Sequence, residues 1–251
     1  MKRLAILLVA IVICAFITSL AQAEDAAPKK IRVLLTYGGH GFQQEPFFAM
    51  FDAMEDIEYT KAPLPESADL LKPGLEKAYD VIVCYDMVGG FTPEQQQAFV
   101  KLLQTGIGYV SMHHNLGAHR GWPKYREIVG GAYLFGPEEI DGVRYPGSNY
   151  AHDASVPVTV VDGDHPITKG MKDFTIHDEV YGRCYIAKDV RILLKTDHPK
   201  SIGPLLWTKK YGNSPICHFM LGHDAKSWTN PAFPEILHRA MIWAAATDGT
   251  K

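Results

Sequence analysis

The chain predicts an α/β fold, a mostly parallel sheet covered by helices on both faces, and three observations carry that expectation. Short apolar runs rich in β-formers, Ile31–Tyr37, Tyr79–Asp86 and Gly108–Met112, are continuous enough in apolar residues to be buried on both faces. Helix-length segments separate them, and a β-α-β-α-β alternation implies parallel strands joined by right-handed crossovers. The runs after Tyr37 and Met112 stop abruptly in Gly38-Gly39-His40-Gly41 and in His113-His114-Asn115. Polar side chains are thereby delivered to the carboxyl edge of the sheet, where open α/β sheets bind their ligands.

The N-terminus stands apart from this pattern. Lys2 and Arg3 precede an apolar run from Leu4 to Leu20, and Ala21-Gln22-Ala23 fits a small-x-small cleavage site. Residues 1–23 therefore read as a secretory signal peptide. Export to the periplasm or the extracellular space follows, with no stable membrane insertion after cleavage. Residues 24–251 suit one domain with a sizeable core.

Along that domain, Ile31–Tyr37 is the first strand, Phe47–Met54 a short helix, Ile57–Thr60 a second strand and Leu70–Lys77 a loose helix. Tyr79–Asp86 is the third strand. Thr92, Pro93 and Gln95 supply the cap, first position and capping-box partner of a helix that Gly106 stops. The fourth strand follows, then a helix over Trp122–Val129. Gly130–Asp153 is rich in Gly, Pro, Tyr and Asp and lacks periodicity, which reads as an excursion over the site. Val156–Val161, His177–Tyr185, Val190–Leu194, Leu205–Lys209 and Ile216–Leu221 are expected as strands. The last helix, Pro231–Ala246, carries Phe233, Leu237, Met241 and Ala244 on one stripe.

Composition narrows the chemistry. A net charge of -3 without a basic cluster argues against a nucleic-acid partner. Three cysteines follow the signal segment, without zinc-type spacing, and Cys84 and Cys217 lie in apolar runs as buried thiols. The Gly-Gly-His-Gly turn lacks the spacing of either phosphate fingerprint, so no nucleotide cofactor is expected. Histidine is the notable residue, with eleven in the chain.

Several histidines stand beside groups that could work with them. His113 and His114 close the fourth strand; His40 lies in the glycine turn near the expected topological switch point. His177, Glu179 and Tyr181 alternate along one strand and share a face. His223 and Asp224 end another strand, Asp224 being a candidate orienter of an imidazole. Imidazoles and a carboxylate from separate strand ends suit one divalent ion, zinc or similar, with His40, His113, His177, Glu179 and His223 as candidate ligands. A metal-free acid/base site would use the same positions, and His113, His114, Glu179, Tyr181 and Asp224 are the catalytic candidates. Trp122, Tyr150 and Trp228 are candidate walls for a sugar ring. His119, His152 and His198 lie in loops and His218 in an apolar strand, and these are read as structural.

The segments Tyr37–Phe42, Phe91–Gln95, Gly108–His114, His165-Pro166-Ile167, Asp178–Tyr181, Leu221–Asp224 and Trp243-Ala244 together resemble the ThuA-like (trehalose utilisation) family, within the class I glutamine amidotransferase-like superfamily. The resemblance implies a flavodoxin-like α/β/α sandwich and the use of disaccharides or their 3-keto derivatives. It also marks a departure. Amidotransferases place a nucleophilic cysteine at the elbow after this fourth strand, where Ser111-Met112-His113 puts His113; the Glu of their His-Pro-Glu segment is absent from His223-Asp224-Ala225. A thiol mechanism needs that thiolate, so glutamine hydrolysis is excluded. The expected reaction is removal of the C2 proton of a 3-keto-sugar, assisted by a metal or a cationic imidazole, with loss of the glycosidic group. A non-catalytic carbohydrate-binding protein and a sugar isomerase are the alternatives.

Overall fold

Residues 29–246 are described by a computed structural model; the expected signal peptide lies outside the described residues. Strand β1 (Ile31–Gly38), buried from Val33 to Thr36, pairs in parallel with β2 (Ile57–Pro63) on one side and β3 (Val81–Asp86) on the other. Next to β3 lies β4 (Gly108–Met112) and then β13 (Ser214–Phe219), again parallel. Beyond β13 the sheet turns antiparallel through β12 (Pro204–Tyr211), β11 (Arg191–Lys195), β8 (Asn149–Val160) and β9 (Phe174–Gly182). The order β2-β1-β3-β4-β13-β12-β11-β8-β9 makes one mixed sheet of 9 strands, parallel through its first half. The chain reverses direction across the sheet between β1 and β3, which is the expected switch point.

Local chemistry explains most of the connections. Helix α1 (Gln44–Asp52) buries Phe47, Phe48, Met50 and Phe51. In place of the expected loose helix after β2 stand two single 3₁₀ turns, Ala68–Leu70 and Leu75–Lys77, separated by Lys72-Pro73-Gly74, where proline and a left-handed glycine cannot continue a helix. Helix α2 (Pro93–Leu103) starts with the capping box Thr92/Gln95 and proline at its first turn. Helix α3 (Pro123–Val129) ends on left-handed Gly130. The excursion after it contains the short strands β5 (Gly131–Ala132), β6 (Glu138–Ile140) and β7 (Val143–Tyr145), with β10 (Tyr185–Ile186) pairing β5. Finally α4 (Ala225–Trp228) leads into α5 (Ala232–Ala245), whose Phe233, Leu237, Met241 and Ala244 are all 0% exposed. Cys84, Cys184 and Cys217 are free and buried.

Under the carboxyl edge runs a connected set of buried polar groups. Asn115 Oδ1 accepts from Ser111 Oγ at 2.7 Å and Tyr125 Oη at 2.6 Å, while Asn115 Nδ2 donates to the Asp86 carbonyl at 3.0 Å. Since the single Ser111 proton is committed to Asn115, His218 Nδ1, 2.8 Å from Ser111 Oγ, carries a proton and donates. Asp86 accepts from Thr36 Oγ1 at 2.7 Å, but its Oδ2 has no partner.

Burial pushes the Asp86 carboxyl up to about 6, against hydrogen bonds from Thr36 and neighbouring groups that lower it. Ionisation is therefore harder in the folded chain than in the unfolded one, so this group's stability contribution is best in acid and declines as pH rises through the interval to about 6. Asp86→Asn keeps an acceptor for Thr36 and removes the charge. The expected outcome is a gain of about 2 kcal/mol for the variant over the wild type on going from about pH 4 to about pH 7, read from denaturant unfolding at the two pH values.

Candidate functional site

Three strand ends and one β-ribbon converge above the parallel half of the sheet. His40 follows β1 through Gly39, whose φ is +71° and whose place no larger residue could take, because a Cβ there would lie 2.5 Å from the Met87 carbonyl oxygen. His113 is the first residue after β4 and adopts φ 45°, a left-handed conformation rare outside glycine. The elbow expected at this position is therefore real in the backbone. His223 follows β13 by way of Gly222, at φ +116°, where a Cβ would meet the Phe233 ring at 2.7 Å. Glu179 and Tyr181 come from β9, and His152 from β8.

His113 Nε2, Glu179 Oε2 and His223 Nδ1 form a nearly equilateral triangle with sides of 3.1, 3.3 and 3.2 Å. His113 is fully buried and Glu179 nearly so. The Met220 carbonyl lies 2.8 Å from His113 Nδ1, and a carbonyl only accepts, so Nδ1 holds a proton and Nε2 turns its lone pair to the triangle. Tyr181 Oη stands 3.0 Å from that same Nε2. Three acceptor-type atoms this close repel unless a cation or shared protons lie between them. Burial would raise the Glu179 carboxyl, but the closely placed His113 and His223 imidazoles outweigh it and hold the group well below the usual carboxylate range. The hydrogen bond to Glu179 likewise raises His223.

The triangle fits a divalent metal ion. Tetrahedral zinc with ligand bonds of about 2.0–2.1 Å separates its ligand atoms by about 3.3 Å. Two imidazoles and a carboxylate form a donor set of the catalytic type, and the His113–Met220 hydrogen bond supplies the outer contact that fixes the ligating tautomer.

A buried carboxylate next to Glu179 holds the arrangement. Asp178 Oδ1 accepts from the backbone N–H of Glu179 at 2.8 Å and of His223 at 3.0 Å, and Oδ2 accepts from Gly222 N at 2.7 Å. One side chain thus ties β9 to the loop after β13. Burial raises its carboxyl, and the nearby His113 and the backbone donors oppose that rise. Behind the loop, Tyr85 Oη and Trp228 Nε1 both donate to the Gly222 carbonyl, at 2.9 and 3.0 Å.

The expected residues divide accordingly. His40, His114, Glu179, Tyr181 and His223 line one cavity of about 200 Å³, and His113 lies behind Glu179 and His223, against both. His114 packs its ring 4.6 Å from that of His40 and donates Nε2–H to the Tyr85 carbonyl at 3.2 Å, leaving Nδ1 without a partner. His177 does not join them: it is exposed, on a stretch of β9 beyond the cluster, and pairs with Asp153 at 3.1 Å. Shared pleat parity with Glu179 does not overcome the distance of two residues along the strand. Asp224 orients no imidazole; its side chain accepts from Lys226 N at 2.9 Å and caps α4. Trp228 is core, not a sugar wall.

His152, expected in a loop, stands instead in the site, with Nδ1 3.1 Å from Glu179 Oε1 and its ring 4.8 Å from that of His223. A register shift between Ala151 and Ala154, with Asp153 at φ 55°, turns it toward Glu179. Only the adjacent His-Asp pair hinted at this, since a bulge leaves no periodic trace.

Asp178→Ala should strand three backbone N–H groups, two of them buried, and lower the unfolding free energy by about 3 kcal/mol, measured by chemical denaturation. Asp178→Asn, which keeps one acceptor oxygen, should lose less.

A protein-family model described as trehalose utilisation, ThuA, matches residues 32–244. No curated protein matches the sequence. Among solved structures, a putative ThuA-like protein from Parabacteroides merdae superposes with a TM-score of 0.72 at 22% identity, covering 87% of this chain and 91% of its own. A second putative ThuA-like protein, from Bacteroides uniformis, gives 0.66 at 18% identity, covering 91% and 96%. A β-galactosidase from Bacillus circulans sp. alkalophilus shares the fold over 85% of this chain and 31% of its own, with a TM-score of 0.53 at 14% identity. The chain belongs to the ThuA family of trehalose utilisation, on a glutamine amidotransferase-like fold.

Proposed function

We propose that this is an exported carbohydrate-active enzyme that cleaves the glycosidic bond of a 3-keto-disaccharide by proton abstraction and elimination. The observation that carries the reading is the triangle of His113 Nε2, Glu179 Oε2 and His223 Nδ1, with sides of 3.1 to 3.3 Å, at the floor of a sugar-sized cavity. Membership of a trehalose-utilisation family supports a carbohydrate substrate. His113, Glu179 and His223 would hold one divalent ion, and such an ion would supply Lewis-acid stabilisation of negative charge on the sugar's carbonyl oxygen.

The chain's own groups account for the proton movements. His40 stands exposed at the cavity mouth, and the burial it does have lowers its imidazole, so it is neutral and basic near pH 7. It takes the proton from C2, which the adjacent ketone acidifies. The electron pair left on C2 forms the C1–C2 double bond as the C1–O bond breaks. The departing oxygen takes a proton from His152, which Glu179 orients. Burial pushes the Tyr181 phenol well above its ordinary range, so it remains a hydrogen-bond donor to a sugar oxygen throughout.

The expected result is about one equivalent of zinc or a similar ion in untagged protein, absent from His113→Ala and from Glu179→Ala by elemental analysis. His40→Ala should retain the ion and slow turnover of 3-keto-trehalose by roughly a hundredfold or more. Saturable sugar binding without turnover, undiminished in His113→Ala, would instead identify a non-catalytic binding protein.

A further inference from the structure

A second cavity, of about 280 Å³, adjoins the first. Gly117, Tyr133 and Phe135 belong to the walls of both, so the two spaces are neighbours separated by little more than the Phe135 ring. Phe135 is 51% exposed, and the Arg120 guanidinium lies 3.4 Å over its centroid. Neither space alone reaches the roughly 300–1,000 Å³ usual for ligand pockets, whereas together they do.

The second cavity carries features of a built site. His119 lines it, only 4% exposed, with Nδ1 buried and without a hydrogen-bond partner. A buried polar atom left unpaired costs free energy unless something fills its place. Burial pushes the His119 imidazole down to about 3, so it is an uncharged group suited to a hydroxyl rather than an anion. Trp122, half-buried beside it, offers a flat indole, and Arg126 and Glu138 pair in the same lining. An aromatic plane, an uncharged imidazole, a carboxylate–guanidinium pair and the Arg120 guanidinium over Phe135 offer a ring to stack on and donors and acceptors for hydroxyls, the chemistry that binds a pyranose.

We propose that this cavity is the leaving-group subsite, holding the second ring of a disaccharide whose first ring lies over His113, Glu179 and His223. The inference rests on the carbohydrate reading above and adds which part of the substrate lies where. Phe135 then stands at the glycosidic bond, next to both rings.

Gly136 provides a clean test. It lines the second cavity, a Cβ built there meets nothing within 4 Å, and its backbone is not left-handed, so Gly136→Phe adds a ring at the cavity wall without strain. Binding of trehalose and of methyl α-glucopyranoside, a one-ring probe, is measured by titration calorimetry on the full chain, beside His119→Leu. The wild type should bind trehalose roughly tenfold tighter than the one-ring probe, and both variants should abolish that margin while leaving the one-ring affinity unchanged. Trehalose affinity unchanged in Gly136→Phe, or loss of both affinities in equal measure, overturns the subsite while leaving the carbohydrate reading standing. A wild type that binds neither probe overturns both.

Discussion

The site depends on one buried carboxylate. In the order of the sheet, β9 is the far edge and β13 lies near the middle, yet Glu179 of β9 and His223 after β13 meet at 3.2 Å. Pairing alone cannot bring them together. β8 joins β11 only through Val160 and Thr159, so the other end of the β8–β9 ribbon is free to swing back over the carboxyl edge. Asp178 holds it there by accepting three backbone N–H groups, two of them from the loop after β13. Backbone donors satisfy a buried carboxylate without needing a paired cation, which leaves the imidazoles free for chemistry.

The parallel half of the molecule was legible in the residues because its signals are local. Apolar runs, the Thr92–Gln95 capping box and the glycine stops are read within a few positions, and each element they predict is present except the helix over Leu70–Lys77, which Pro73 and Gly74 break into two turns. The ends of β1, β4 and β13 were legible for the same reason: a strand that terminates in histidine presents it at an edge. His113 and His223 followed from that rule. His152 and Asp178 did not. One is turned inward by a bulge and the other works through backbone groups 44 and 45 residues away, and neither effect leaves a pattern in sequence. His177 and Asp224 show the converse, since polar residues beside a motif can serve an exposed ion pair or a short helix cap.

The elbow joins these observations. His113 keeps a left-handed backbone that costs on the order of 1–3 kcal/mol, and the surrounding contacts over-determine it. Its side chain is held between the Met220 carbonyl and Glu179, and Asn115 below it is fixed by Ser111, Tyr125 and the Asp86 carbonyl. A strained main chain set on a hydrogen-bonded polar layer turns one atom, Nε2, toward Glu179 and His223. The scaffold provides position, and the residue at the elbow decides whether that position serves a thiol or an imidazole.

The pairing of β13 with β4 sets His218 beside Ser111 and Phe219 beside Met112, so that Met220 falls opposite His113. That alignment selects which ring nitrogen of His113 is free. The machinery is thus keyed to the stagger of two neighbouring strands, and neither can gain or lose a residue without turning the lone pair away. Residues 131–138, which form one wall of the second cavity, lie outside that pairing. The segment that shapes this wall and the strand pairing that sets the free nitrogen of His113 are thus separate parts of the chain.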